Sequence, residues 1–452
     1  MTDSSASTEE KQIGLSAENL AATAPNAMED VPIDPVPTEK PAADGPVILH
    51  PPDQGLRAWG TVVGAFAGLF VSFGYVNVVG VFLEYYSTNQ LKDYSSSDVA
   101  WITSVQSFLM IFGGLVFGRL HDMVGPNPLT IFGSVFILLG VFTTASCKTY
   151  AQFMLSQGIC SGIGGSAMFY TAMATVSSWF VKYRGTALGI SVGGSSIGGV
   201  ILPVMFRRVL LVSDFGWAVR SLGFLMLFLC LVAIATLHPR IKPKGLYKVD
   251  FENDYGRPFR YVPFVVLTAG IFCMFWGLFV PIGYIPSHAV AHHFSSELAD
   301  YLVSIMNAGS FLGRVSIGML ADKVGPYNCY AFASAASGLL TVALWLPATG
   351  HVPIILYAVL FGYASGATIS LMPAVIASIS PVHEIGTRMG AISGVGSLAA
   401  LSGMPIAGAL LKFDKGSYYG LAIWGGVMLF AAGAFVSTTR VLVFGSQLKK
   451  KA

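Results

Sequence analysis

In the stretch "NAGSFLGRVSIGMLADKVGP", residues 307–326, Arg314 stands inside a hydrophobic run and Asp322 follows two turns later, just before Gly325-Pro326. The second part of this pattern occurs twice: Gly118, Asp122, Gly125 and Pro126 recur as Gly318, Asp322, Gly325 and Pro326, 200 residues on. A guanidinium in an apolar span costs about 2.5–3.5 kcal/mol on insertion scales, so it must face protein or a wet cavity. Its planar fork of donors suits a carboxylate bidentately. Arg314 therefore reads as an anion site, or else as a structural cation tied to helix carbonyls or reaching toward Asp322. The two aspartates read as latches. Each would cap a neighbouring helix start or pair with Arg184 and Arg388; the plainer reading is a turn-forming Asp before Gly.

The elements that must position these groups follow from composition. Of 452 residues, 54% are hydrophobic and only 11% charged, against about 25% charged in soluble domains. From Arg57 onward, apolar runs alternate with short polar breaks. Twelve runs are expected to span a membrane as helices: 58–83, 98–118, 128–147, 151–177, 185–206, 217–237, 263–287, 300–321, 328–347, 352–378, 387–411 and 418–439. Each can cross a hydrocarbon layer of about 30 Å, and backbone satisfaction in lipid leaves helices as the spanning form. The predicted fold is thus an all-α integral membrane protein with twelve transmembrane helices.

The expected organisation has an acidic, disordered tail at 1–52, a first six-helix half at 53–237 and a central loop at 238–262. A second half at 263–440 and a basic C-terminus at 441–452 complete it. The tail lacks the apolar segment of a signal peptide. With the amino terminus inside, sixteen basic residues fall on the inner side and seven on the outer, which predicts both termini in the cytoplasm. A net charge of +3 gives no nucleic-acid footprint. The five scattered cysteines, with no CxxC pair, support neither a disulfide framework nor a zinc site; no cofactor or metal is expected.

The halves repeat in a second place, where Gly185-Thr186, Gly189 and Gly193 recur as Gly386-Thr387, Gly390 and Gly394 at an offset of 201. Duplicated six-helix units with a site between them near the midplane belong to alternating-access carriers. The Gly-x-x-x-Asp-x-x-Gly element after the second and eighth helices resembles that of the major facilitator superfamily, with Pro126-Asn127 in place of the usual basic pair. Two further stretches resemble its monocarboxylate transporter family, and the acidic tail with the Asn-Ala-Gly-Ser wording of the eighth helix resembles that family's fungal branch. "DQGLRAWGTVVGAF" matches the acidic-Gly-x-x-x-Trp lead-in, and "WFVKYRGTALGISVGG" keeps Phe180, Lys182, Arg184, Ala187, Gly189 and Gly194 of the second signature. The resemblance covers residues 53–440.

It implies that Arg314 binds a substrate anion and that Lys182, Arg184 and Arg388 belong to the gating motifs. Animal lactate carriers have a lysine where Asn77 stands and an aspartate where Ser310 stands, so the two groups assigned to the coupled proton are replaced here. A proton, where one is coupled, is then expected on a mouth residue such as Glu84 or on the cargo itself. Asn77, Asn307, Gln106, Tyr170 and Tyr363 are mid-span polar groups expected to line the cavity beside Arg314, each with an interhelical hydrogen bond as its plainer reading. Phe82, Tyr85 and Tyr86 are expected in an interfacial aromatic belt. The glycines of the fifth helix read as close-packing positions, and "Gly162-Ile-Gly164-Gly165" has no strand–turn–helix context for a nucleotide.

The leading expectation is a monomeric carrier of a small organic anion, a monocarboxylate or carboxylated metabolite, in the plasma membrane or else a vacuolar or other internal one. The alternative is an efflux pump for a fungal secondary metabolite. An integral-membrane enzyme or receptor is disfavoured: no HExxH, nucleophile triad, Walker loop or clustered inner carboxylates occur.

Overall fold

The computed structural model describes residues 53–245 and 252–445. The expected acidic tail, Lys248 and Asp250 of the central loop, and the terminal Lys449 to Lys451 lie outside the described residues. Among the described residues, eleven helices are long and apolar enough to cross a membrane. In chain order they are α1 (Leu56–Thr88), α2 (Asp98–Val124), α3 (Pro126–Thr144), α4 (Tyr150–Trp179), α5 (Arg184–Leu210), α6 (Phe215–Thr236), α7 (Val262–Ala291), α8 (Tyr301–Val324), α10 (His351–Ser378), α11 (Val382–Phe413) and α12 (Tyr419–Phe444). The ninth, α9, is an α-helix over Pro326–Leu340 that runs into a π-helical turn at Thr341–Trp345. All twelve expected spans are therefore present as helices.

Local chemistry sets several boundaries. Gly125 and Gly325 adopt φ of +80° and +105°, ending α2 and α8 in a conformation open to glycine. The following Pro126 and Pro326 start α3 and α9 at once, where a missing N–H costs nothing. The repeated Gly-Pro is thus a tight helix–helix corner. α1 is interrupted at Asn77 and Val78, where Asn77 N–H turns back to Gly74 O and a new helical segment starts at Val79. A short linker helix over Glu252–Gly256 and Arg257–Phe259 precedes α7. It docks on α2 through a 2.8 Å ion pair between Arg119 and Asp254 and a 2.6 Å hydrogen bond from Tyr255 Oη to Leu115 O.

Large apolar side chains such as Val135, Leu139, Phe228, Leu231, Phe332 and Val352 are exposed on the outside of the bundle, as lipid contact demands and water would penalise. Inside, glycines let backbones meet. A Cβ on Gly194 would strike Phe66 O of α1, one on Gly313 would strike Tyr363 O of α10, and one on Gly362 would strike Met306 O of α8.

The aromatic residues of α1 correct one expectation. Phe82 and Tyr86 are fully buried, with the Phe82 ring 5.0 Å from that of Phe206 and the Tyr86 ring 4.3 Å from that of Phe153. Tyr85 stacks on Phe215 at 4.8 Å. They form an internal cluster rather than an interfacial belt, because α1 is enclosed by α4, α5 and α6 on this side.

Replacing Gly313 or Gly362 by Leu is expected to lower stability by about 1–3 kcal/mol through overpacking. A detergent melting curve checks this, and an unchanged melting temperature for both would contradict the close α8–α10 crossing.

Candidate functional site

Two layers connect the halves α1–α6 and α7–α12. The first lies at the end of the bundle carrying the repeated motifs. Asp122, at the end of α2, accepts from Thr387 N–H at 2.7 Å, Thr387 Oγ1 at 2.8 Å and Gly386 N–H at 3.2 Å, at the start of α11. Asp322, at the end of α8, accepts from Gly185 N–H at 2.7 Å, Thr186 N–H at 2.9 Å and Thr186 Oγ1 at 2.5 Å, at the start of α5. Each carboxylate thus satisfies orphan amides of a helix in the opposite half and meets the positive end of its dipole.

The glycines explain how the helices come so close. A Cβ on Gly118 would collide with Gly386 O, and one on Gly318 with Gly185 O. One turn deeper, Gly390 packs on Gly114 O and Gly189 on Arg314 O. Of the two arrangements expected for the aspartates, the helix-start cap is the one present. Pairing with the arginines is corrected: Arg184 Nε donates to Phe180 O at 2.8 Å, while Arg388 holds Glu384 at 3.2 Å and Ile379 O at 2.8 Å. Both cations brace their own loop. Lys182 is exposed, its side chain over the Tyr183 ring. Its amide, with those of Val181 and Tyr183, donates to Asp53 Oδ1 at 2.8–3.4 Å.

The second layer is a cleft of about 370 Å³ deeper in the bundle, between α1, α7, α8 and α10. Its walls are mainly apolar, with Phe73, Leu278, Ile282, Val303, Met306 and Ile369, and its polar groups are Asn77, Asn307, Ser310, Ser365 and Arg314. Arg314 is buried, with 2% relative exposure. Its Nη1 donates to Val192 O at 2.6 Å and Ser195 Oγ at 2.5 Å, both on α5 of the other half. Its Nε is buried with no partner, and among the described residues no carboxylate lies within ion-pair distance. Asn77 Nδ2 donates to Phe73 O at 3.2 Å and Ser195 O at 3.4 Å, and Asn307 Nδ2 to Val303 O at 3.0 Å. The two amides converge on Gly199, where a Cβ would lie 2.8 Å from each.

The cleft gathers Arg314, Asn77 and Asn307 but not the other three expected residues. Tyr170 is buried with its ring against Gly114 and donates to Ile111 O at 3.0 Å. Gln106 accepts from Gln157 at 3.2 Å, which in turn accepts from Tyr86 Oη at 2.5 Å, a polar network inside the first half. Tyr363 is 38% exposed and bonds Ser316 at 2.8 Å on the outer face of α8 and α10. Their helix faces turn away from the cleft, since spans that are apolar all round carry no facing signal. Ser195 and Ser365 went unsuggested, because serines are frequent in these helices and nothing in their spacing distinguishes them. Glu84, the proposed mouth acid, is exposed and pairs with Arg207 at 3.1 Å.

Twelve helices in two halves, joined by crossed carboxylate caps over a mainly apolar cleft, have the architecture of a membrane carrier. Residues 64–354 and 267–443 match the Major Facilitator Superfamily profile. The chain belongs to that superfamily: it is a multi-pass membrane transporter of small molecules, not an enzyme. It is 42% identical to "MFS transporter asaE" of Aspergillus flavus, over 89% of this chain and 90% of that one. It is 41% identical to the "Fujikurins efflux protein" of Gibberella fujikuroi, over 88% and 86%, and 36% identical to the "Aspyridones efflux protein apdF" of Emericella nidulans, over 89% and 83%. Among solved structures, the fucose–proton symporter of E. coli superposes with TM-score 0.67 at 14% identity, over 83% of this chain and 98% of that one. The human organic anion transporter MFSD10 does so with TM-score 0.67 at 14% identity, over 85% and 100%. These two share the fold.

Asp122→Asn and Asp322→Asn are each expected to weaken the motif-end closure by about 1–2 kcal/mol, roughly a 5- to 30-fold shift of the conformational equilibrium. Labelling of a cysteine placed at the motif end by a water-soluble maleimide reads this. Equal labelling of parent and double variant would contradict the arrangement.

Proposed function

We propose that this carrier exports a fungal secondary metabolite with an apolar body and a planar oxyanion, which docks on Arg314. The single observation behind this reading is the guanidinium itself, buried in a mainly apolar cleft with its Nε unpartnered and no described carboxylate beside it. Nη1 is committed to α5, which leaves the Nε–Nη2 edge, the side of the fork that grips a carboxylate bidentately. The efflux proteins among the relatives favour export over uptake. The monocarboxylate-type signatures around Asp53 and Phe180 favour an acidic cargo.

Transport proceeds by rocking the halves. The excess of basic residues supports a cytoplasmic motif end, and on that reading the closed layer at Asp122 and Asp322 is the inner gate. When it opens, α5 separates from α8, the two aspartates release their helix starts, and Arg314 loses Val192 and Ser195. A cargo anion entering then compensates the stripped guanidinium. Any proton moves with the cargo, bound to its acidic group. A small monocarboxylate taken up from outside is the second reading, supported by the same arginine.

An untargeted metabolite comparison of deletion and overexpression strains, in cells and in medium, tests the direction. Export predicts that deletion raises one acidic metabolite inside and depletes it outside; the reverse pattern would indicate uptake. With that metabolite in proteoliposomes, Arg314→Lys is expected to lose at least about tenfold in counterflow, since Lys keeps the charge but not the fork. Full activity of the Lys variant would sink the anion site. If a proton gradient accumulates a permanently ionised cargo even in Glu84→Gln, the substrate-carried proton is wrong.

A further inference from the structure

The cleft at Arg314 has a second polar end, formed by two carboxamides from opposite halves. Asn77 stands at the break in α1 and Asn307 in α8, and both line the cleft. Their side chains meet beside Gly199 of α5. Gly199 lies four residues beyond Ser195, and Asn307 seven before Arg314, about 6 and 10 Å by helical rise. Along both helices the amide pair is on the far side of the guanidinium from the Asp322 latch. The remaining wall is apolar and includes Leu278, Met306 and Ile369.

Polar side chains inside a bundle ordinarily join helices, and an asparagine so used has both ends of its amide satisfied. Neither amide here meets that condition. Asn77 commits its Nδ2 protons to Phe73 O and Ser195 O. Asn307 Nδ2 bonds only Val303 O, in its own helix, so it ties α8 to no neighbour. Only a nitrogen can donate to a carbonyl, and these contacts therefore fix which end of each amide is left over. The Oδ1 atoms of both accept nothing among the described residues, and neither is sealed in as Arg314 Nε is. Asn77 thus offers the cleft an acceptor alone, and Asn307 an acceptor with one spare N–H. The hydroxyls of Ser310 and Ser365, which also line the cleft, suit a donor or an acceptor equally. The Asn77 oxygen suits only a donor.

We propose that the amide pair selects a cargo carrying a hydroxyl or amide group about 6–10 Å from its oxyanion by the same helical rise, with that group donating to Asn77 Oδ1. This selection rests on Arg314 holding the oxyanion and adds a second point of recognition. A hydroxyl satisfies the pair in full, since it donates to Asn77 Oδ1 and accepts from the spare Asn307 N–H. A cargo of the same shape without the donor strips water from the amide oxygen and returns nothing. Discrimination then comes from the polar group left unpaired, a stronger filter than the fit of an apolar wall.

Two rigid acids of matched shape test this. In 4′-hydroxybiphenyl-4-carboxylate the phenol lies near the upper end of that span from the carboxylate; the 4′-methyl analogue has no donor. Equilibrium dialysis against the full chain in nanodiscs, with empty nanodiscs subtracted, reads both affinities. The hydroxy acid is expected to bind about tenfold more tightly, although the methyl acid is the more apolar. Asn77→Leu is expected to abolish this preference and Asn307→Leu to reduce it, while retained binding of the methyl acid reports an intact fold. Arg314→Lys is expected to weaken both acids alike and to keep the preference. Equal affinities in the parent, or an unchanged preference in Asn77→Leu, would overturn the amide site. A preference that persists while Arg314→Lys leaves both affinities intact would instead overturn the anion site and spare the donor site. Absence of saturable binding by either acid would overturn both.

Discussion

The structure depends on a constraint at two helix starts. α5 and α11 begin where the halves meet, and the amides of their first turns have no carbonyl partners in their own helices. Leaving such groups unsatisfied in a packed, water-poor seam is expensive. Asp322 and Asp122 meet that need from the opposite half, and glycines at 118, 185, 318 and 386 admit the approach. The closed state is therefore held by polar satisfaction at two points on top of close glycine-mediated packing of α5 on α8 and α2 on α11. Such a contact can be undone reversibly, because water replaces the carboxylate as soon as the seam parts. A hydrophobic seal of the same extent would lose its stabilisation without replacement.

The same seam reaches the deeper cleft. Gly189 of α5 touches the backbone of Arg314, and Val192 and Ser195, farther along α5, hold its guanidinium. Latch and buried cation thus sit on one helix pair, with Asp322 about 12 Å from Arg314 by helical rise. Any motion that frees Asp322 from α5 also strains the hold on Arg314. Gate and cleft need no intervening relay, since one crossing carries both.

How much of this was legible depended on where the information sits. The gate element could be read because Asp before Gly-Pro is a local loop signal, and its repetition at one offset excludes coincidence. Arg314 could be read because a cation in an apolar run has few solvated destinations. Tyr170, Gln106 and Tyr363 have no such restriction. A helix surrounded by helices and lipid is apolar on every face, so periodicity does not say which side a tyrosine turns to. Packing decides it: the ring of Tyr170 takes the space that Gly114 leaves empty, and Tyr363 turns outward to Ser316. The aromatic residues of α1 failed for a related reason. Phe82 and Tyr86 have the composition of a belt, but their depth in the bundle comes from neighbours remote in sequence.

The repeat carries more meaning where it breaks than where it holds. At offset 200, Arg314 corresponds to Gly114; both backbones serve the same glycine crossing, to Gly189 and Gly390 respectively. In the first half the vacant side-chain position is sealed by Tyr170, and in the second it holds a cation. Likewise the amides at 181–183 are closed by Asp53, whereas in the corresponding loop Glu384 N–H turns back to Pro381 O. In both cases the first half completes the contact from within its own sequence and the second does not. Duplication alone would give two equal halves. The departures from the repeat therefore mark where the two copies have taken different side chains around the same helix crossing.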